Sequence, residues 1–292
     1  MKKIFVIITA VLFSLSLYGQ DVKEQDPAKH QARVFPIPVE HLYFHSEILG
    51  VDKNFTVHVP RSYANSPDRY YPVVYMLHGA GENDWEWANI SVPMIQEAIA
   101  CVTNDGSAAE CIVVFPNANE AGHMGYFNID DWKYEDYFFK ELVPVVESRY
   151  RVLADKGHRA IGGLSMGGGG SFNYGMRHPE MFSSVYAISA AVSPSLFDNT
   201  QDNGRGILPP AMNGGTYTPE QIEAAKSVNF VLDCGDDDFL FDANVATYQL
   251  MRKNGMKVQF RAYDGPHATF YWYDGLRRAL VYFTRHFDTQ MP

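Results

Sequence analysis

Along this chain, short apolar runs take turns with longer segments of helical spacing. Residues 41–49 and 54–59 read as a hairpin. In the second half, Phe55, Val57 and Val59 alternate with Thr56 and His58, the period of a half-buried strand. Further apolar runs at 71–77, 111–115, 182–189, 228–234 and 258–263 have strand length, and a brief one at 160–161 precedes a cluster of glycines. Helical spacing falls at 87–100, 137–150, just after the glycines, at 244–254 and at 272–287. In 137–150, Phe138, Leu142, Val145 and Val146 form one stripe. Strand and helix in repeated alternation predict an α/β fold, with a mostly parallel central sheet and helices on both faces. Residues 194–220 break the pattern. They are rich in Asn, Asp, Gly and Pro and read as a long loop of the kind that forms a lid or pocket wall.

The first 20 residues read as a secretory signal: Lys2 and Lys3, an apolar core at 4–18, then Gly19, Gln20 and Asp21. The apolar core is too short for a comfortable membrane span. Residues 21–40, with Pro27, Pro36 and Pro38, read as an extended lead-in, and 41–292 as a single domain. The expected location is secreted or periplasmic, without stable membrane insertion after signal removal. The formal net charge of -10 argues against nucleic acid and favours a neutral substrate. Of the three cysteines, Cys101 and Cys111 are the candidate pair across a short loop, and Cys234 is expected to be buried. No Cys/His spacing suits zinc, so neither metal nor cofactor is expected.

The chemistry centres on Gly163-Leu164-Ser165-Met166-Gly167. An apolar run leads in and a helical segment leads out, the setting of a nucleophile elbow. A serine hydroxyl needs a base, and the base needs an acid to orient it. On this type of sheet both follow the serine, acid first, at strand ends. After Ser165 stand His178, His267 and His286. His178 closes a helix and His286 lies within the last one, whereas His267 follows a strand. The acid is one of Asp236, Asp237 and Asp238, all directly after the strand ending at Cys234. Two backbone N–H groups should face the developing oxyanion. One belongs to Met166, and the other comes from the loop His78-Gly79-Ala80.

These pieces together resemble the esterase branch of the α/β-hydrolases. That branch holds feruloyl (cinnamoyl) and acetylxylan esterases of carbohydrate esterase family one, with S-formylglutathione hydrolases and mycolyltransferases as relatives. The matching stretches are Val57-His58-Val59-Pro60, residues 71–79, Gly162 to Gly168, Cys234 to Asp238, and Gly265-Pro266-His267. The resemblance implies the α/β-hydrolase fold and a catalytic set of Ser165, Asp238 and His267. It implies Ala80 as the second oxyanion donor and Trp272 as the tryptophan that recurs after the histidine. Ala268-Thr269 departs from the family, where an acidic residue and an aromatic often stand.

Aromatic residues crowd the loops near this site: Trp85, Trp87, Tyr126, Phe127, Trp132 and Trp272. Some are expected in the core. Gly79, Trp85, Trp132 and Trp272 are the candidates for substrate contact. The expectation is an exported serine esterase that removes feruloyl or acetyl groups from plant polysaccharides, its partner a small-molecule or polysaccharide ester. Acyl transfer or general short-chain ester hydrolysis would use the same residues, and a carbohydrate-binding protein on a hydrolase fold is the non-enzyme alternative.

Overall fold

The computed structural model of the chain describes residues 23–24, 39–87, 92–120, 122–197 and 216–288. The signal segment at 1–20, most of the lead-in and residues 198–215 of the long loop lie outside the described residues.

Nine strands form one sheet among the described residues. They are β1 (Lys23–Glu24), β2 (Val39–Ser46), β3 (Val51–His58), β4 (Val73–Leu77), β5 (Ile112–Pro116), β6 (Arg159–Leu164), β7 (Ser184–Ile188), β8 (Asn229–Gly235) and β9 (Val258–Tyr263). Their order is β1-β2-β3-β5-β4-β6-β7-β8-β9. The first four in that order pair antiparallel, and every later pairing is parallel. β4, β5, β6 and β7 are buried along their whole length, as strands covered on both faces must be.

Helices cover both faces. α1 (Val92–Asn104) and a closing helix, α6 (Thr269–Thr284), share one core with Val74, Met76, Leu164 and Ile188. α3 (Met166–Arg177) packs into the other core with Tyr75, Leu77, Val185 and Leu232, as does α2, which runs through Tyr134–Tyr137, a π-helical turn at Phe138–Leu142, and Val143–Arg149. α4 (Pro219–Ala225) and α5 (Phe241–Lys253) lie between β7 and β9 in sequence. The expected architecture is observed.

Several boundaries differ from the sequence pattern. The helix expected from Trp87 begins at Val92 instead. Trp87 belongs to the preceding loop, and its indole N–H donates to the Leu77 carbonyl at 3.1 Å, so its burial reflects a loop anchor and not a helical stripe. The last helix starts at Thr269 and ends at Thr284, so His286 lies beyond it, its ring 4.0 Å from that of Tyr282. α4 begins at the last two residues of the expected loop and runs on through residues given no element, held by a capping box between Thr218 and Gln221 with Pro219 inside its first turn. Cys101 and Cys111 are both free thiols. Cys101 is exposed on α1 and accepts from Arg277 of α6 at 3.0 Å, while Cys111 is buried beside β5, so the two diverge. Cys234 is buried as expected.

Candidate active site

Ser165 sits between β6 and α3 with φ 51° and ψ -115°, a conformation that costs a non-glycine residue roughly 1–3 kcal/mol. Its neighbours hold it there. The Ser165 N–H donates to Ile188 O at 2.9 Å, and Ser165 O accepts from the N–H groups of Gly169 and Ala191, each at 2.9 Å. The turn is tight enough to exclude side chains on either side. A Cβ on Gly163 would lie 2.6 Å from Gly167 backbone atoms, and one on Gly167 would lie 2.2 Å from Leu77 O.

Asp238 and His267 arrive on the loops after β8 and β9. His267 Nδ1 is 2.8 Å from Asp238 Oδ2, and His267 Nε2 is 3.0 Å from Ser165 Oγ. Asp238 Oδ1 accepts the Leu240 N–H at 2.8 Å. Burial pushes the Asp238 carboxyl up, but hydrogen bonds from His267, Leu240 N–H and Ser189 outweigh it and hold it below the usual carboxylate range. An ionised Asp238 keeps the imidazole proton on Nδ1 and leaves Nε2 as the acceptor facing the serine hydroxyl. Burial separates the three aspartates that sequence could not: Asp238 is 4% exposed, whereas Asp236 and Asp237 face solvent. Asp236 Oδ1 accepts the Gly265 N–H at 3.2 Å and so steadies the loop that bears His267.

Ser189, buried at the end of β7 with φ 44°, joins these groups. It hydrogen-bonds the Asp238 side chain, and its Oγ accepts the Trp272 indole N–H at 3.1 Å. Trp272 packs edge-on to His267, ring centroids 4.8 Å apart. Beneath them the buried Asp233 carboxylate accepts from Tyr271 and Tyr186 hydroxyls, each at 2.5 Å, and from Arg278 Nε at 2.8 Å, tying α6 to β8.

The loop after β4 is pinned from several directions. The Gly79 N–H donates to Glu82 Oε2 at 2.8 Å, so it is committed within the loop, while the next residue, Ala80, is exposed. The Tyr126 hydroxyl donates to His78 O at 3.0 Å. His78 itself bridges outward: its Nε2 is 2.9 Å from Ala118 N and its Nδ1 is 2.8 Å from Gly79 O. Met166 is the first residue of α3, where backbone N–H groups have no acceptor within the helix. Its N–H therefore stays available next to Ser165.

The candidate aromatics divide. Trp87, Tyr126 and Phe127 are core residues. Trp132 is buried under a parallel His123 ring 4.4 Å away, with Lys53 Nζ 5.7 Å from its centroid. Trp85 packs edge-on to His41 at 4.8 Å. Of these tryptophans, Trp272 is the one with a ring contact to His267. His178 caps α3 and pairs with Glu135 at 2.8 Å. Sequence reasoning missed the roles of His78, Glu82 and Ser189. It also missed Phe239, whose ring lies 4.6 Å from that of His267.

The fold and this constellation define the class: an α/β-hydrolase with a serine, a histidine and an aspartate in hydrogen-bonded series at its strand ends. The family model described as "Putative esterase" matches residues 46–283, and the chain belongs to that family. A solved ferulic acid esterase is 37% identical with a TM-score of 0.75, covering 87% of this chain and 100% of its own. The "Endo-1,4-beta-xylanase/feruloyl esterase" of Xylanibacter ruminicola is 29% identical over 227 residues, 74% of this chain and 27% of that protein. An "Acetyl esterase" of Caldicellulosiruptor saccharolyticus is 22% identical, covering 74% of this chain and 84% of its own. The chain thus spans 27% to 32% of the length of the first curated relatives it matches.

Proposed function

We propose that the protein hydrolyses carboxylic esters by a Ser165–His267–Asp238 triad, and that its substrates are feruloyl or acetyl esters of plant polysaccharides. The observation that carries the proposal is the imidazole of His267 bridging Asp238 and Ser165 at 2.8 and 3.0 Å. Ser165 Oγ attacks the ester carbonyl as its proton passes to His267 Nε2. Asp238 stabilises the imidazolium and fixes its orientation. The N–H groups of Met166 and Ala80 face the oxyanion; one such donor is worth about 10²–10³ in rate. His267 then protonates the departing alcohol, and water repeats the sequence on the acyl-enzyme.

The names of the ferulic acid esterase and the xylanase/feruloyl esterase support the feruloyl form, and the acetyl esterase supports the acetyl form. Lys2, Lys3 and the apolar stretch at 4–18 support export, to where such polymers are met. Among the described residues, no helix is long and apolar enough to cross a membrane.

The test compares wild type with Ser165→Ala on p-nitrophenyl acetate, then measures ferulate and acetate released from arabinoxylan by wild type. Turnover lost with Ser165 supports the triad. Undiminished turnover in Ser165→Ala rejects it, and release of neither acid rejects the polysaccharide assignment.

A further inference from the structure

Beside His267, two phenylalanines stand in solvent. Phe239 is 69% exposed and Phe270 is 61% exposed, the two highest exposures among the large hydrophobic residues described. Phe239 directly follows Asp238, and its ring lies tilted against the imidazole at 4.6 Å. Phe270 is in the first turn of α6, and its ring edge would be 3.5 Å from a Cβ on Gly265, so it leans on the His267 loop. Leaving such rings in water forgoes the gain that burying them would bring. Exposed apolar surface continuous with a reaction centre is the mark of a contact site.

The chemistry of the triad says which part of the substrate lies there. The acyl carbon is bound at Ser165, and the leaving oxygen must come within reach of His267 Nε2 to take its proton. The alcohol side of the ester therefore lies on the His267 side of the site, where Phe239 stands. The exposed carboxylates of Asp236, Asp237 and Asp264, within 4.8 Å of one another, edge the same two loops. Their charge repels an anionic carrier and tolerates a neutral one. A flat apolar ring suits the C–H face of an uncharged sugar.

We propose that Phe239, with Phe270 on the adjoining His267 loop side, is a platform that stacks a neutral sugar ring of the leaving group. It thereby sets the preference for glycan esters over simple alkyl esters. This rests on the ester-hydrolase function proposed above, which assigns the acyl and alcohol sides.

The experiment measures kcat/KM of wild type, Phe239→Ala, Phe239→Tyr and Phe239→Ala/Phe270→Ala on two substrates with one acyl group. These are methyl ferulate and a feruloylated arabinoxylo-oligosaccharide. The quantity read is the ratio of the two values, which cancels any effect on the chemistry of His267. Phe239→Ala should lower the glycan-to-methyl ratio about 10-fold. Phe239→Tyr, which keeps the ring, should restore it, and the double variant should lower it further. An unchanged ratio in Phe239→Ala overturns the platform, as does a wild type that turns over methyl ferulate and not the glycan ester. Both results leave the esterase function standing. A wild type that cleaves no ester at all removes that function and the platform with it.

Discussion

The Ala118 N–H donates to His78 Nε2 at 2.9 Å, and that bond decides which nitrogen of the ring carries the proton. A backbone N–H can only donate, so Nε2 is the acceptor and Nδ1 bears the hydrogen that reaches Gly79 O at 2.8 Å. His78 thereby links the end of β5 to the loop that presents Ala80. It is a positioning residue: it acts on that loop and touches no reacting atom. In His78→Leu both backbone groups lose their partner in a buried place, a cost of about 2–4 kcal/mol. The expected kinetic result is a fall in kcat of about 10- to 100-fold, with KM changing less, because in the proposed mechanism the misplaced Ala80 donor serves the transition state. His78→Gln, which offers a donor and an acceptor, should recover part of both losses. Urea denaturation and steady-state kinetics on a p-nitrophenyl ester check this.

Burial pushes His78 and His58 down to about 4. Both are neutral in the folded chain near neutrality. In the unfolded chain they take up protons as pH falls through their ordinary value of 6.5. The folded state cannot follow until pH nears 4, so stability declines between 6.5 and 4, by up to about 3 kcal/mol per histidine. Asp238 behaves differently. Its carboxyl titrates below the usual range, so its contribution is full above the unfolded value, fades as pH falls from there through its lowered folded value, and is gone below both. Urea midpoints should fall from pH 7 to pH 4.5, and less steeply in His58→Phe. A midpoint independent of pH over that interval would contradict these assignments.

Ser165 couples activity to backbone strain. Ser165→Ala and Ser165→Gly should both lose on the order of 10⁶ in kcat, as loss of the nucleophile does in a triad hydrolase. They should differ in stability. At φ 51° and ψ -115° glycine is unhindered where alanine is not, so Ser165→Gly should melt higher than Ser165→Ala by about 1 kcal/mol of stability. Calorimetry of the two inactive proteins decides it.

Arg278 neutralises a carboxylate that has no exposure of its own, Asp233. Arg278→Met should cost about 3–5 kcal/mol, because an uncompensated charge stays buried between β8 and α6. Adding Asp233→Asn should return a good part of that. The reading is the thermal midpoint of the single and double variants.

Much of this site is visible in the chain because its pieces are local. Gly163, Ser165 and Gly167 are two apart on one turn, and their tightness follows from β6 and α3 meeting there. Strand ends near Cys234 and Tyr263 locate the acid loop and the base loop. What stays hidden depends on side-chain direction or on distant partners. Asp236, Asp237 and Asp238 follow the same strand, and only the turn of the backbone sends one of them inward. Trp87 and Phe239 are both aromatic loop residues, yet one fills the core and the other stands in water. The partners of His78 include a backbone N–H 40 residues away, which no local pattern announces. α4 does carry a visible capping box and good helix formers, but at seven residues it is too short to show a clear apolar stripe.

β9 closes the described sheet, with one neighbouring strand, β8, and no residue of β9 fully buried. Ser165 hangs from the middle of the sheet, whereas His267 hangs from its rim. Fraying begins at rims. Mild warming should therefore yield a dormant form in which the serine keeps its seat while the imidazole drifts away. Catalysis would then fade several degrees before the molecule melts and return on cooling.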